Sequence, residues 1–333
     1  MKKDITIKDI AQKLGIHHAT VSRALKGSKK VKEETRNRIL EEVRNMGYTP
    51  NLLAQNFRNG RTNIISFIIP DLKHHFFSRL ISCITELARE KGVLVMIFQS
   101  NDNPEVERDI IQLLISMRVA GVAASVGLRT QTTTHFNLLA EENIPLVFFD
   151  RVPQSTLLPT ITLDNHKAMK QVVAELVLRG KKRIAYISYH GYTTIFSDRL
   201  NAYRDAIHES GLDFEKVVEA EQIFIADGYK AASCLFQDRD TPDAIICIND
   251  EVAIGVLRFL KEKRISVPDE VSVVGFDDNP MGLVCEPELA TFSQSIELLS
   301  HTLLDLLLHA IEYQENEKQD IVLPLTLELR DSL

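Results

Sequence analysis

Cysteine is scarce in this 333-residue chain, and what there is forms no pattern. Cys83, Cys234, Cys247 and Cys285 include no CxxC pair and no Cys/His cluster at metal-ligand spacing, so neither a disulfide framework nor a metal site is expected. Four reduced core thiols in a cytoplasmic protein are the plainer expectation. No run approaches about 18 uninterrupted apolar residues, which argues against a membrane span. The opening MKKDITIKDI lacks the apolar stretch of a secretory leader. There is no Walker loop, no GxSxG and no HExxH, so no catalytic set and no cofactor is expected. What remains, with 44% hydrophobic and 26% charged residues, reads as an ordinary globular protein of two or three domains.

Charge is distributed unevenly. Residues 1–61 hold fourteen Lys and Arg against six Asp and Glu, a surplus of +8. The remainder holds 25 basic and 40 acidic residues, or −15, giving the net −7 of the chain. A small basic head on a large acidic body is the footprint of a polyanion-binding module joined to something else. The bias covers about sixty residues with ordered-looking patterns, which weakens the alternative of a solvated charge run.

Three short helices fit residues 6–45. In TIKDIAQKL, Thr6 caps, Asp9 sits near the positive helix end, and Ile7, Ile10, Ala11 and Leu14 share a face. Gly15 breaks the pattern as a left-handed turn residue does. HHATVSRAL follows, with Val21, Ala24 and Leu25 inward and Gly27 as its end. KEETRNRILEEVRNMGY closes the set, with Ile39, Leu40, Val43 and Met46 inward and Gly47 as terminator. Two helices joined by a tight glycine turn, with a third closing the core, make a helix-turn-helix module. His18, Ala19, Ser22 and Arg23 then lie away from the core, where they can face the major groove. Arg23 presents the fork that matches O6 and N7 of guanine, with a phosphate contact as its alternative. The adjacent His17 and His18 do not suit a metal, because successive helical residues point about 100° apart. If either meets DNA as an imidazolium, operator affinity rises as pH falls.

Past Pro50, residues 51–58 can form one further helix, too short to be stable alone. Leu53 and Phe57 share a face. Phe57 wedging between base pairs from the minor groove and Phe57 packing on protein as part of a linker are equally compatible with this pattern.

The acidic body alternates strand-length apolar runs (64–69, 93–98, 119–126, 146–149, 183–188, 244–248, 271–276) with helical segments (76–91, 104–117, 165–179, 199–210, 250–263). The runs are buried in character, which implies α/β architecture with parallel sheets and right-handed crossovers. Ligands of such sheets sit at the carboxyl ends of the strands. There lie Asp71, Asp150, Asn249-Asp250 and Asp277-Asp278, with Arg199 opening a helix. Carboxylates accept from hydroxyls, Arg donates in a fork and Asn does both, a set that suits a polyhydroxyl ligand. Phe76, Phe77 and Phe276 can cover an apolar ring face. For Asn249-Asp250, capping the following helix is at least as natural a role as ligand contact.

On these residues the chain resembles the lactose-repressor/galactose-repressor (LacI/GalR) family over essentially its full length. The matching motifs are TIKDIAQKLGI..ATVSRAL, VKEETRNRILEEVRNMGYTPN, NLLAQNF, IISFIIPDLKHHFF, IPLVFFDR, FSDRLNAYRDAI, PDAIICINDEVAIGVLRFLKEKRISVPDEVSVVGFDD and LATFSQ. The resemblance implies a helix-turn-helix head at 1–49, a hinge helix at 50–61 and a two-lobed core of periplasmic-binding-protein type at 62–333. The N-lobe would take about 62–161 and 292–321, the C-lobe about 162–291 and 322–333. Two parallel-sheet, Rossmann-like subdomains would build that core. It further implies a homodimer reading a pseudo-palindromic double-stranded DNA operator, with DNA contacts at Thr6, His18, Ala19, Ser22 and Arg23 and hinge contacts at Ala54, Phe57 and Arg58. Arg199, Asn249, Asp277 and Asp150 are raised as effector contacts.

Several positions depart from the family pattern. His17 and Lys32 stand where serine caps are usual, and must compensate through phosphate contacts or leave a looser head. His74-His75 replaces the common Asn-Pro, which brings His74 toward the pocket rim. Ala202 replaces a glycine. The reading that follows is a cytoplasmic, ligand-gated transcription regulator, a repressor, with a sugar or sugar derivative as effector. A cytosolic sugar-binding protein or enzyme of the same α/β class is the alternative, and the basic head speaks against it.

Overall fold

The computed structural model describes residues 5–25, 28, 30–48, 62–237, 240–314 and 317–333. The chain divides into two units, Met1–Thr62 and Asn63–Leu333.

The first unit contains α1 (Ile7–Leu14), α2 (His18–Leu25) and α3 (Glu33–Met46). Its boundaries have local chemical causes. Thr6 Oγ1 accepts from the Asp9 amide at 3.4 Å, and Asp9 Oδ2 accepts from the Thr6 amide at 2.7 Å, a reciprocal cap on two otherwise unpaired donors. Gly15 and Gly47 each end a helix at φ +64°, a region glycine enters without steric cost. Gly27 lies outside the described residues. Lys32 gives α3 no side-chain cap; Glu33 and Glu34 in the first turn complement its positive end instead. Ile10, Ala11, Val21, Ala24, Val31 and Ile39 form the core. Leu40, expected inward, is half-buried. Lys13 reaches Glu42 at 2.6 Å and ties α1 to α3.

The second unit holds two six-stranded sheets. The first has the order β11-β5-β4-β3-β1-β2, with β1 (Ile64–Ile69), β2 (Leu94–Gln99), β3 (Gly121–Ala124), β4 (Leu146–Phe149), β5 (Thr160–Leu163) and β11 (Asp320–Leu323). The second has the order β12-β10-β9-β8-β6-β7, with β6 (Ile184–Tyr189), β7 (Lys216–Ala220), β8 (Ala244–Cys247), β9 (Ser272–Phe276), β10 (Ala290–Ser293) and β12 (Thr326–Glu328). Every pairing is parallel except β10 with β12. The α-helices between strands are α4 (His75–Glu90), α5 (Pro104–Met117), α6 (Asn137–Glu141), α7 (Asn165–Leu178), α8 (Thr194–Glu209), α9 (Ile225–Leu235), α10 (Asp250–Lys263) and α11 (Ile296–Tyr313). The chain changes sheet after Leu163, Ser293 and Leu323, about two residues later than the crossings expected at 161, 291 and 321.

Burial explains the apolar strand runs, with one exception. β1, β3, β4, β8 and β9 are buried along their length, as interior strands covered on both faces are. β2 is the exception: at the sheet edge, Leu94 is 47% and Ile97 is 39% exposed, so its apolar run does not mark a buried strand. α8 also departs from expectation. It starts at Thr194, five residues before the expected 199, which places Arg199 inside its second turn rather than at its opening.

Candidate nucleic-acid interface and ligand cleft

On α2, Val21 and Ala24 point into the core, while His18 and Arg23 are exposed and Ala19 and Ser22 half-buried. The four residues expected to face a groove therefore share the side of α2 away from its packing. Thr6 is exposed and is already committed to capping α1. His17 corrects an expectation. Its Nδ1 accepts the Ala19 amide N–H at 3.2 Å, so the imidazole performs the capping that a serine hydroxyl would, and no phosphate is needed to replace it. Its ring lies 4.2 Å from that of His18. His17→Ala is expected to cost about 1 kcal/mol of head stability and His17→Ser to cost little; amide hydrogen exchange across α2 measures both. Equal protection in all three proteins would mean the imidazole cap contributes nothing. Ala54, Phe57 and Arg58 lie outside the described residues.

In the second unit a cleft opens where the carboxyl ends of β4 and β9 approach each other, lined in part by His74, Asp150, Arg151, Arg199, Asn249 and Asp277. Phe76 and Phe77 form part of its wall from the start of α4. Both aspartates leave their strands with positive φ, +57° at Asp150 and +107° at Asp277. Short polar residues tolerate such conformations better than most, at a cost that the surrounding structure must hold in place.

Arg199 is 3% exposed and fixed on three sides. Its Nε donates to Asn165 Oδ1 at 2.8 Å, its Nη1 donates to the Ile248 carbonyl, and its guanidinium lies 3.9 Å from the centroid of Phe276. Burial pushes the Asp150 carboxyl above its ordinary value, with Arg151 and Arg199 opposing the shift. Burial likewise pushes Asp277 up to about 7; Arg199 opposes and the Asp150 charge adds to the rise. Two carboxylates and two guanidinium groups thus meet at one cleft, a frequent sign of a functional site.

Not every expected contact reaches the cleft. Asp71 is absent from its lining and instead accepts the Lys73 amide at 2.9 Å. Phe276 lies beneath Arg199 and stacks on Phe292 at 4.7 Å rather than covering a ligand. Asp250 is buried, accepting from Thr291 Oγ1 and the Asn279 amide, each at 2.6 Å. Gly275 permits this approach, since a Cβ there would meet Asp250 Oδ1 at 2.0 Å. Asp278 pairs with Arg330. Asn249 lines the cleft, yet both ends of its amide serve the fold: Oδ1 caps α10 through the Val252 amide at 2.9 Å and Nδ2 donates to the Ile223 carbonyl at 3.0 Å.

Sequence reasoning passed over Arg151, Ile195, Phe196, Ile223 and Ile248, all of which line the cleft. Arg151 was the legible one, adjacent to Asp150 in FFDR. Among the described residues no group of three His, Cys, Asp or Glu side chains could hold a metal ion, and no helix is long and apolar enough to cross a membrane.

Comparison with known proteins matches each unit separately. Residues 6–51 match the bacterial regulatory proteins of the lacI family. Residues 173–333 match the periplasmic binding protein-like domain. Catabolite control protein A of Priestia megaterium is 26% identical over 332 residues, covering 99% of both chains. The HTH-type transcriptional regulator DegA of Bacillus subtilis is 26% identical over 98% of this chain and 97% of its own. Among solved structures, the lac repressor dimer bound to operator and the anti-inducer ONPF superposes with a TM-score of 0.88, 23% identity and 99% coverage of both chains. The transcriptional regulator CelR in complex with cellobiose superposes with a TM-score of 0.74 and 23% identity, covering 99% of this chain and 100% of its own. The chain thus carries a head that matches the lacI family of bacterial regulatory proteins and a body that matches the periplasmic binding protein-like domain, in the fold of the lac repressor.

Proposed function

We propose that this protein is a DNA-binding transcription regulator, a repressor, whose operator affinity is controlled by a sugar or sugar derivative held in the cleft. The observation that carries the reading is the pairing of two sites in one chain. A basic helix-turn-helix unit leaves Arg23 and His18 exposed on the outer side of α2. An acidic body brings Asp150, Asp277 and Arg199 to one cleft between its two sheets. In this reading residues 1–49 bind DNA, 50–61 form the hinge, and the rest binds effector and dimerises. Relatives of matching length include HTH-type transcriptional regulators, which favours this reading over an enzyme. The lac repressor dimer on its operator supports a homodimer on pseudo-palindromic DNA, each head reading one half-site. The site of action is the cytoplasm.

An effector changes operator affinity only by binding one state of the two lobes better than the other. The proposed effector contacts are Asp150, Asp277, Arg199, Phe76 and Phe77, with Asn249 contributing through its position at the wall. At the head the contacts are His18, Ala19, Ser22 and Arg23 on α2, Thr6 and His17 beside it, and Ala54, Phe57 and Arg58 from the hinge.

The test is enrichment of bound sequences from random duplex DNA by the full chain, followed by affinity measurements on the selected site. Arg23→Ala is expected to weaken binding by about 1–3 kcal/mol and to relax selectivity at one base pair. Phe57→Ala is measured beside it. Unchanged binding in both variants would remove this account of the interface.

A further inference from the structure

Two lobes face each other across the cleft, one built on the sheet of β1 to β5 with β11, the other on the sheet of β6 to β10 with β12. Side chains cross between them on two flanks, for α4 packs on one face of the first sheet and α5 on the other. On the α5 flank the loop after β3 makes the join. Glu107, fully buried, accepts from the Gly127 amide at 2.8 Å and from Thr130 Oγ1 at 2.9 Å, and Asp102 accepts from the Leu128 amide at 2.8 Å. Fixed in this way to its own lobe, the loop sends Leu128, 5% exposed, into the apolar core of the facing lobe, and Gln131 Nε2 donates to Tyr192 Oη at 3.0 Å. On the α4 flank stands His74, which precedes α4 without capping it. Its ring instead lies parallel to that of Phe224, with 5.9 Å between centroids and 5° between planes, and its Nδ1 faces Glu251 Oε1 at 3.5 Å. Phe224 and Glu251 stand at the starts of α9 and α10, both in the facing lobe.

The two flanks differ in what separation costs. Drawing the lobes apart on the Leu128 side pulls a buried leucine out of a core and breaks a hydrogen bond. On the His74 side it uncovers one face of Phe224, already 45% exposed, and returns two polar groups to water. We propose that His74 is a latch: clasped by Phe224 and Glu251, it holds the cleft shut on its α4 side, and its release lets the lobes open there while the Leu128 side stays joined. The imidazole also lines the cleft, so occupancy of the cleft and the state of the latch are linked. A ligand that binds better with the ring displaced opens the latch, and one that binds better against the ring keeps it shut. Asparagine, the usual residue here in the family that the sequence resembles, has no ring to lay on Phe224, so the latch belongs to this chain's own histidine. Its effect on operator affinity rests on the regulator reading; the contact between the lobes does not.

The chain contains no tryptophan, so Phe224→Trp sets a single indole against the imidazole in the full chain. Imidazole quenches an indole stacked on it. The expected result is weak emission that brightens when His74→Asn is added. The second measurement is affinity for duplex DNA selected by the full chain. His74→Asn, Phe224→Ala and Glu251→Gln are each expected to shift it in one common direction, by about two- to tenfold for the two ring partners. The double variant His74→Asn/Phe224→Ala is expected to go no further than the larger of its two members, because both break one contact. The common direction tells whether closed or open lobes hold the operator. Emission indifferent to the residue at position 74 would overturn the latch, and so would unchanged affinity in all three variants, or shifts that add. If no duplex is enriched, the regulator reading falls instead, and the emission alone decides whether His74 joins the lobes.

Discussion

Asp277→Asn is expected to make the ligand-free protein more stable while removing its response to effector. The wild-type carboxyl is raised from 3.8 to about 7 by burial beside Asp150. A carboxyl that holds its proton more tightly when folded opposes folding once it must ionise. The folded state then binds more protons than the unfolded state between about pH 4 and pH 7, so this contribution falls as pH rises through that window and is constant above it. At about 1.4 kcal/mol per unit, the full penalty approaches roughly 4 kcal/mol at pH 8. Partial wetting of the cleft reduces it, and a gain of about 2–3 kcal/mol is the expected net effect of the amide. Thermal unfolding of the full chain should show a rise of roughly 5 °C at pH 8, shrinking markedly at pH 5. A variant no more stable than wild type at pH 8, or a gain independent of pH, would show that the Asp277 charge carries no such cost. Stability given up at a site that recognises ligand is a common exchange. It explains why an acidic residue with no donor persists at the end of an interior strand.

The sequence made some parts of this site legible and hid others, for physical reasons. Interior strands covered on both faces read as unbroken apolar runs, and the runs at 64–69 and 146–149 match β1 and β4 residue for residue. The polar residues just past such strands are where chain direction and solvent access change, so Asp150 and Asp277 could be picked out by position alone. Asp71 occupies an equivalent position and does not reach the cleft, because its carboxylate turns back on the Lys73 amide. Local sequence cannot separate those outcomes, since both place an aspartate after a strand. β2 misled in another way. Its run LVMIFQ is as apolar as a central strand, but edge position is a property of sheet order, which no single segment carries. The partnership of Arg151 with Asp102 joins residues 49 positions apart, a pairing that no local pattern carries. His17 shows a functional group substituting for another: the expected serine is missing, yet Nδ1 supplies the same acceptor.

Arg199→Ala is expected to be the most damaging single change in the cleft. The side chain lies 3% exposed, and its removal leaves the Asn165 amide oxygen and the Ile248 carbonyl without their donors. It also strips Phe276 of the cation over its face. The larger effect is electrostatic. Arg199 opposes the upward shift of both Asp150 and Asp277, so without it each carboxylate faces the other with less compensation. Leaving two buried acceptors without their donors costs about 1–3 kcal/mol each, which threatens folding near physiological temperature. Arg199→Lys keeps the charge but not the fork, and about half that loss is expected. Because the damage flows through ionised carboxylates, it should be greatest above pH 7 and partly relieved at pH 5, where Asp277 is mostly protonated. The same logic fixes a coupling. Combining Arg199→Ala with Asp277→Asn should recover part of the loss, giving an interaction of about 1–3 kcal/mol between two residues that share one network. Chemical denaturation of the four proteins at pH 8 measures that coupling directly. Additive losses would mean that Arg199 holds the cleft through Asn165, Ile248 and Phe276 alone, and that its charge does no more there than fill space.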